Sequence, residues 1–119
     1  MQAKDVYDKI GGSYDEAISQ IRKEERFAKY FAMFTRDGSF SELKNAMESG
    51  DMTGAFAAAH TLKGITKNLA FTKLADLVSG ITEDLRDSRD TEHAKAVFPE
   101  LEQCYEDTIK AVLEFVDGI

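Results

Sequence analysis

Apolar side chains recur at helical spacing through the second half of the chain, and this periodicity constrains the fold more than any other feature. One stripe consists of Leu74, Leu77, Val78, Ile81 and Leu85, and a second consists of Phe98, Leu101, Tyr105, Ile109, Val112 and Val116. A helix with a single apolar stripe is stable only when a neighbouring element covers that stripe. The pattern therefore predicts helices that pack on one another.

Residues that begin and end helices divide the chain into seven segments. We predict helices at about 4–10, 14–22, 24–36, 40–49, 52–70, 72–88 and 91–117, and the first three are close enough to merge in part. Pro99 either begins the last helix or kinks it. Glycines at helix ends and two capping-box spacings support the boundaries, namely Gly11, Gly12, Gly38 and Gly50, with Ser13 to Glu16 and Ser39 to Glu42.

Short connections between these segments favour antiparallel neighbours. We therefore predict an all-α fold without a sheet, in which segments 40–49, 52–70, 72–88 and 91–117 form an antiparallel four-helix bundle. The N-terminal helices, at about 4–36, are expected to cap or flank the bundle. The whole chain, residues 1–119, is expected to be one domain with its bundle core at about 40–117.

The charge balance excludes several classes of partner. The chain carries 22 acidic against 15 basic residues, a net charge of −7, and this excess repels nucleic acid and anionic membranes. No stretch of 18 apolar residues predicts a membrane span, and the N-terminus lacks the apolar run of a signal peptide. A lone cysteine, Cys104, cannot form an internal disulfide. We expect a cytoplasmic monomer that binds other proteins.

Enzyme motifs are not found in the sequence. It contains no glycine-rich phosphate loop, no nucleophile elbow and no cluster with metal-ligand spacing. We therefore expect no bound metal or cofactor and no autonomous kinase activity.

The segment 52–70 places one histidine on its outer face. With an advance of about 100° per residue, His60 lies opposite the core-facing set of Ala55, Ala58, Ala59, Leu62, Ile65, Thr66 and Leu69. Gly64, Lys67 and Phe71 fall near His60 on the wheel, and Lys63 and Ala57 flank them. His60 is therefore predicted to face solvent rather than the core.

The neighbours of His60 indicate phosphoryl transfer. A mid-helix glycine costs about 1 kcal/mol relative to alanine, and Gly64 on a solvent face gains no packing that offsets the cost. It does leave the imidazole uncovered. An ordinary histidine is mostly neutral at pH 7, and the neutral imidazole is nucleophilic. Lys63 and Lys67 are placed to stabilise the negative charge of a transferred phosphoryl group.

The same segment resembles the histidine phosphotransfer (HPt) domains of phosphorelays. The resemblance rests on Ala59, on the motif His60-Thr61-Leu62-Lys63-Gly64, and on Asn68, Leu69 and Leu74. Residues 5–12 and the pair Gly50-Asp51 also look like the family.

The resemblance implies a helical domain with a central four-helix bundle. It implies that His60 takes a phosphoryl group from an aspartate of a receiver domain, or from a kinase, and gives it to another receiver. Lys63 would then interact with the phosphoryl group and Gly64 would keep the site open. In this family the receiver supplies the acidic residues and Mg²⁺. Two positions depart from the pattern: Ala70, where glycine is common, is expected to let the helix run further, and Lys67, where small residues are common, is expected to influence receiver choice.

Other interpretations stay open. A helical adaptor that is never phosphorylated would use His60 only as a surface residue. His93 lacks the glycine and lysines of the His60 face and is interpreted as a solvated residue. Phe27, Tyr30, Phe31 and Phe34 have helical spacing and are interpreted as core packing, with contact between one edge of the cluster and a partner as the alternative.

Overall fold

The chain is helical throughout its main elements. The computed structural model describes residues 1–118, and no strand occurs among them. Seven α-helices follow one another within this range: α1 (Ala3–Ile10), α2 (Tyr14–Ile21), α3 (Phe27–Arg36), α4 (Ser39–Ser49), α5 (Met52–Asn68), α6 (Thr72–Leu85) and α7 (Thr91–Asp117). Short 3₁₀ turns cover Glu24–Arg26 and Arg86–Ser88. The all-α prediction is confirmed, and Ile119, the last residue of the predicted domain, lies outside the described residues.

The two predicted capping boxes have different outcomes. The Ser13 hydroxyl accepts the backbone N–H of Glu16 at 3.2 Å and begins α2, but the N–H of Ser13 donates to the carbonyl of Ala70 at 3.0 Å, so only half of the first box forms. The second box is wrong, because Ser39 is already inside α4 and its own N–H is bonded to the carboxylate of Asp37 at 2.9 Å. An aspartate two residues upstream thus takes the role that the spacing of Ser39 and Glu42 had suggested.

A two-residue connection joins α4 to α5. Gly50 ends α4 with a left-handed backbone, φ 77°, and Asp51 begins α5 by accepting the N–H of Gly54 at 2.9 Å. The tight turn forces α5 to run back along α4.

Four helices form the predicted bundle. Helix α4 packs on α5, α5 on α6, and α6 on α7. Side chains close the ring between α4 and α7, because the ring of Phe40 stacks on Tyr105 at 4.1 Å between centroids and Lys44 pairs with Glu102 at 2.6 Å. The apolar stripe of α6 is buried except for half-buried Leu77, whereas in the α7 stripe only Leu101 and Val112 are buried and the other members are half-buried against the core.

Pro99 lies inside α7 and does not begin it. The helix is continuous from Thr91 to Asp117. Pro99 and Lys95 are both exposed, so water can satisfy the carbonyl that a proline leaves without its helical partner. Buried residues on either side, Ala94 and Leu101, hold both halves of the helix against the bundle.

The N-terminal helices cover one end of the bundle. Helices α1 and α3 pack on α7, and the hydroxyl of Tyr7 donates to the carbonyl of Leu69 at 2.8 Å. Phe27, Phe31 and Phe34 are buried beside this contact, which confirms their interpretation as core. Tyr30 differs, with 37 % of its surface exposed.

Helix α5 ends earlier than expected. The backbone of Ala70 is left-handed, with φ 56°, and the chain turns there. The N–H groups of Ala70 and Phe71 donate to the carbonyls of Lys67 and Thr66, both at 3.0 Å, which is the Schellman pattern of a helix end. The predicted continuation through Ala70 is therefore wrong. The predicted outward position of Phe71 is also wrong: it precedes α6, points into the core and has 0 % exposure.

Candidate functional site

His60 lies in the middle of α5 on the face that points away from the bundle. Its side chain is exposed, whereas Ala59 and Leu62 beside it are fully buried at 0 % exposure. The helical wheel therefore predicted the orientation of α5 correctly. We use the name "His60 face" for the outer surface formed by His60, Lys63, Gly64 and Lys67.

Gly64 leaves the His60 face open. It is exposed, and a Cβ atom added to it would meet no heavy atom within 4 Å. Gly54, in the first turn of α5, is different, because a Cβ there would collide with the carboxylate of Asp51. Packing explains Gly54 and leaves Gly64 unexplained. Gly80 in α6 shares the open surroundings of Gly64, which makes it a matched position for comparison.

Two lysines put positive charge on the His60 face. Lys63 is half-buried and Lys67 is exposed, and neither forms an ion pair within 4.0 Å with any other residue in the range 1–118. Lys63 lies toward α6. The pKa of Glu83 is lowered, mainly by its hydrogen bond with Arg86 and further by the charges of Arg86 and Lys63. Lys67 is in the last turn of α5, where a cation is also favoured by the helix dipole.

An aromatic ring adjoins His60 one turn earlier. The ring of Phe56 is nearly parallel to the His60 imidazole, at 13° and 5.9 Å between centroids, and the guanidinium carbon of Arg86 lies 4.9 Å from the centre of the same Phe56 ring. Sequence reasoning missed both residues. The four-residue spacing from Phe56 to His60 carried a signal, since such pairs meet on a helix. Arg86 arrives from the end of α6, so no local spacing predicts it.

The other histidine has different surroundings. The Nδ1 atom of His93 is 2.6 Å from the carboxylate of Asp84, which joins the start of α7 to α6. The hydrogen bond with Asp84 and the charge of that carboxylate raise the pKa of His93. Because Asp84 engages Nδ1 of His93 and no glycine opens the surface beside it as Gly64 does beside His60, His93 is less suited to phosphoryl transfer than His60.

The sequence was compared with models of known protein families, with curated proteins and with solved structures. A family model for the Hpt domain matches residues 37–113. The chain belongs to the Hpt domain family. The chemistry of this family is histidine phosphotransfer in phosphorelays. Comparisons with curated proteins and with solved structures each found no match.

The Hpt match covers α4, α5 and α6 and nearly all of α7, and both histidines lie inside it. Residues 5–12, for which we noted a resemblance to the family, lie outside the matched range. The N-terminal helices thus lie outside the matched range, and they contact the bundle where α5 ends and α6 begins.

Within residues 1–118, no group of three or more His, Cys, Asp or Glu side chains is arranged to hold a metal ion. No helix in the described range combines the length and the apolar character that crossing a membrane requires.

Proposed function

We propose that His60 is the phosphorylated residue of this Hpt domain, and that it accepts a phosphoryl group from a receiver-domain aspartate or a kinase and passes it to another receiver. One observation carries the proposal: His60 is exposed at the centre of α5, and Gly64, one turn further along the same face, has open space around it. A second protein can therefore bring its backbone close to the imidazole.

The proposed step exchanges one bond to phosphorus for another. A ring nitrogen of neutral His60 attacks the phosphorus of an aspartyl phosphate, the P–O bond to the aspartate breaks, and the carboxylate leaves. The imidazole then carries the phosphoryl group on the attacking nitrogen and keeps its proton on the other nitrogen, so that breaking the P–N bond later releases the neutral ring. The second receiver's carboxylate reverses these events. Both directions need the two nucleophiles in line with phosphorus, which an exposed side chain permits and an enclosed one prevents.

Charge on the His60 face supports the same role. Lys63 is placed to interact with the phosphoryl group, and Lys67 adds attraction at the edge of the docking surface. Neither lysine is neutralised by an ion pair in the described part of the chain, although the protein carries a net charge of −7. The phosphoryl group would meet local positive charge on an acidic protein.

We assign the remaining parts of the reaction to the partner. The receiver supplies Mg²⁺ and its acidic ligands, and this chain acts as a phosphocarrier without kinase activity of its own. We further propose that residues 1–119 act as one domain, as a cytoplasmic monomer whose partners are receiver domains of response regulators or hybrid kinases. The acidic surface supports partners other than nucleic acid and anionic membranes.

The test is a labelling experiment. The purified chain is incubated with a panel of phosphorylated receiver domains and, separately, with ATP and Mg²⁺ alone. We expect label from at least one receiver, none from ATP, and a bond that is labile to acid and stable to base. Mass spectrometry should place the phosphoryl group on His60.

Binding to a receiver without any transfer would contradict the proposal and favour a helical adaptor. Label acquired from ATP alone would contradict the phosphocarrier assignment.

A further inference from the structure

We propose that Phe56 and Arg86 are positioning residues that hold the His60 imidazole in its orientation for transfer. The inference rests on the proposed function of His60 and adds two residues that act through it. We call Arg86, Phe56 and His60 the stacked column.

Contacts define the stacked column. The rings of Phe56 and His60 are within 13° of parallel, with 5.9 Å between centroids. The guanidinium of Arg86 lies over the Phe56 ring at 4.9 Å. Glu83 fixes that guanidinium in turn, because its two oxygens accept hydrogen bonds from Nε and Nη2 of Arg86, each at 3.2 Å.

Within the stacked column, Phe56 and Arg86 are held in place by the fold, whereas His60 is exposed. Phe56 is half-buried in a cleft that it shares with Met52 and Leu85, so the fold restricts the position of its ring. Arg86 is held at the end of α6, where the helix gives way to the turn Arg86–Ser88. His60 is exposed and would otherwise sample several orientations. Contact with a fixed ring limits the rotation of the imidazole plane.

Orientation matters because transfer is in line. A nucleophilic nitrogen must point at phosphorus when the receiver docks, and misplacement by a fraction of a bond length is costly. A pre-oriented imidazole avoids losing its rotational freedom at that moment. Direct attraction of the phosphoryl group by Arg86 would be a different role, and the bidentate bond to Glu83 argues against it by compensating the charge of Arg86.

The experiment compares substitutions in the column with matched changes elsewhere. Phe56→Leu removes the ring, Phe56→Tyr keeps it, and Arg86→Gln removes the guanidinium. Phe98→Leu is the control for losing a half-buried ring that stacks on another ring, here Phe40 at 5.8 Å between centroids. Arg89→Gln is the control for losing a cation that also approaches Glu83, at 3.8 Å, without contacting Phe56 in the structure.

Two quantities are measured on every variant, together with its melting temperature. The first is the rate of transfer from one phosphorylated receiver as a function of receiver concentration. The second is the NMR chemical shift of the two carbon-bound ring protons of His60 in the unphosphorylated protein, which reports the ring current of Phe56.

We expect Phe56→Leu to lower the maximal transfer rate by about 2- to 10-fold, with little change in the half-saturating receiver concentration. It should also change the chemical shifts of the His60 ring protons. Phe56→Tyr, which keeps the ring, should have the transfer rate and the chemical shifts of the parent. Arg86→Gln should act in the same direction with a smaller effect. Combined with Phe56→Leu it should add little, because both residues act through one contact.

The inference would be overturned if the chemical shifts of the His60 ring protons were the same in Phe56→Leu as in the parent protein. The inference would also be overturned if Phe98→Leu slowed transfer as much as Phe56→Leu does, or if Arg89→Gln slowed it as much as Arg86→Gln does. These outcomes leave the proposed function intact as long as the parent protein is phosphorylated. A parent that takes no phosphoryl group from any receiver would instead overturn the proposed function, and with it the purpose of the column.

Discussion

The centre and the end of helix α5 use glycine and alanine in opposite ways. At the centre, Gly64 occupies an ordinary helical position with open space around it. At the end, Ala70 occupies a left-handed position, φ 56°, of the kind that glycine adopts most easily. For folding alone, alanine would be the better residue at 64 and glycine the better residue at 70.

The unfavourable residues at positions 64 and 70 have different explanations. Ala70 has only 3 % exposure and its carbonyl accepts the N–H of Ser13 at 3.0 Å, so tertiary contacts hold the strained turn. Nothing comparable surrounds Gly64, and its cost of about 1 kcal/mol relative to alanine brings no packing in return. The difference teaches that tertiary contacts allow the fold to tolerate an unfavourable residue at 70, whereas the fold gives no reason for glycine at 64, which we attribute to the proposed site at His60.

The largest expected effect concerns the histidine that this open surface serves. His60→Gln should abolish phosphoryl acceptance, because glutamine offers no nucleophilic ring nitrogen. Its free energy of unfolding should stay within about 0.5 kcal/mol of the parent, as expected for an exposed side chain. Labelling by a phosphorylated receiver and urea denaturation measure the two quantities.

His93→Gln is the matched control for His60→Gln and should keep full acceptance. If the His60→Gln variant still formed phosphohistidine, the phosphorylated residue would lie elsewhere. The contrast between Gly64 and Ala70 would then have no functional explanation.

A bulky side chain at the centre tests the openness directly. Gly64→Gln should slow transfer by about 100-fold, since even a small displacement of the docked receiver misaligns the reacting atoms. Gly80→Gln is the control. Gly80 also has open space, but it lies one turn from Asp84, on the side of α6 that meets His93. Comparable slowing in both variants would show that the requirement for space is not specific to the His60 face.

Charge on the His60 face should have an intermediate effect. Lys63→Ala should slow transfer about 10-fold through lost stabilisation of the phosphoryl group, and Lys67→Ala should slow it less. Added salt should affect the Lys63 variant less than the parent, because part of the screened attraction has been removed. Lys95→Ala, which removes a cation from α7, should leave the rate unchanged. Identical salt dependence in the parent and the Lys63 variant would contradict this role.

The smallest expected effect concerns stability and compares the two positions directly. Gly64→Ala and Ala70→Gly should each raise the free energy of unfolding by about 0.5–1 kcal/mol, one by improving helix propensity and the other by relieving the left-handed strain. Urea denaturation measures both changes, provided that the dependence of the free energy of unfolding on urea concentration is the same in the variants and the parent. A destabilised Gly64→Ala variant would mean that the centre of α5 has a structural need for glycine that the open space does not reveal.

Helical periodicity determined most of the fold. Each observed helix falls within a few residues of its predicted segment, because an apolar stripe requires a partner and short connections leave only antiparallel packing. Local spacing failed where tertiary contacts decided the outcome. Asp37 took the capping role expected of Ser39, and the turn at Ala70 reversed the chain and buried Phe71.

The sequence by itself determined the orientation of α5, because the wheel that buries Leu62 necessarily turns His60, Gly64 and Lys67 outward. It also carried the family motif, since that motif lies within one helix and depends on neighbouring positions. Only the tertiary structure joined Arg86 and Glu83 to this face and engaged His93 with Asp84. These contacts connect residues on different helices, and their geometry depends on how α5, α6 and α7 pack, which no spacing within a single helix specifies.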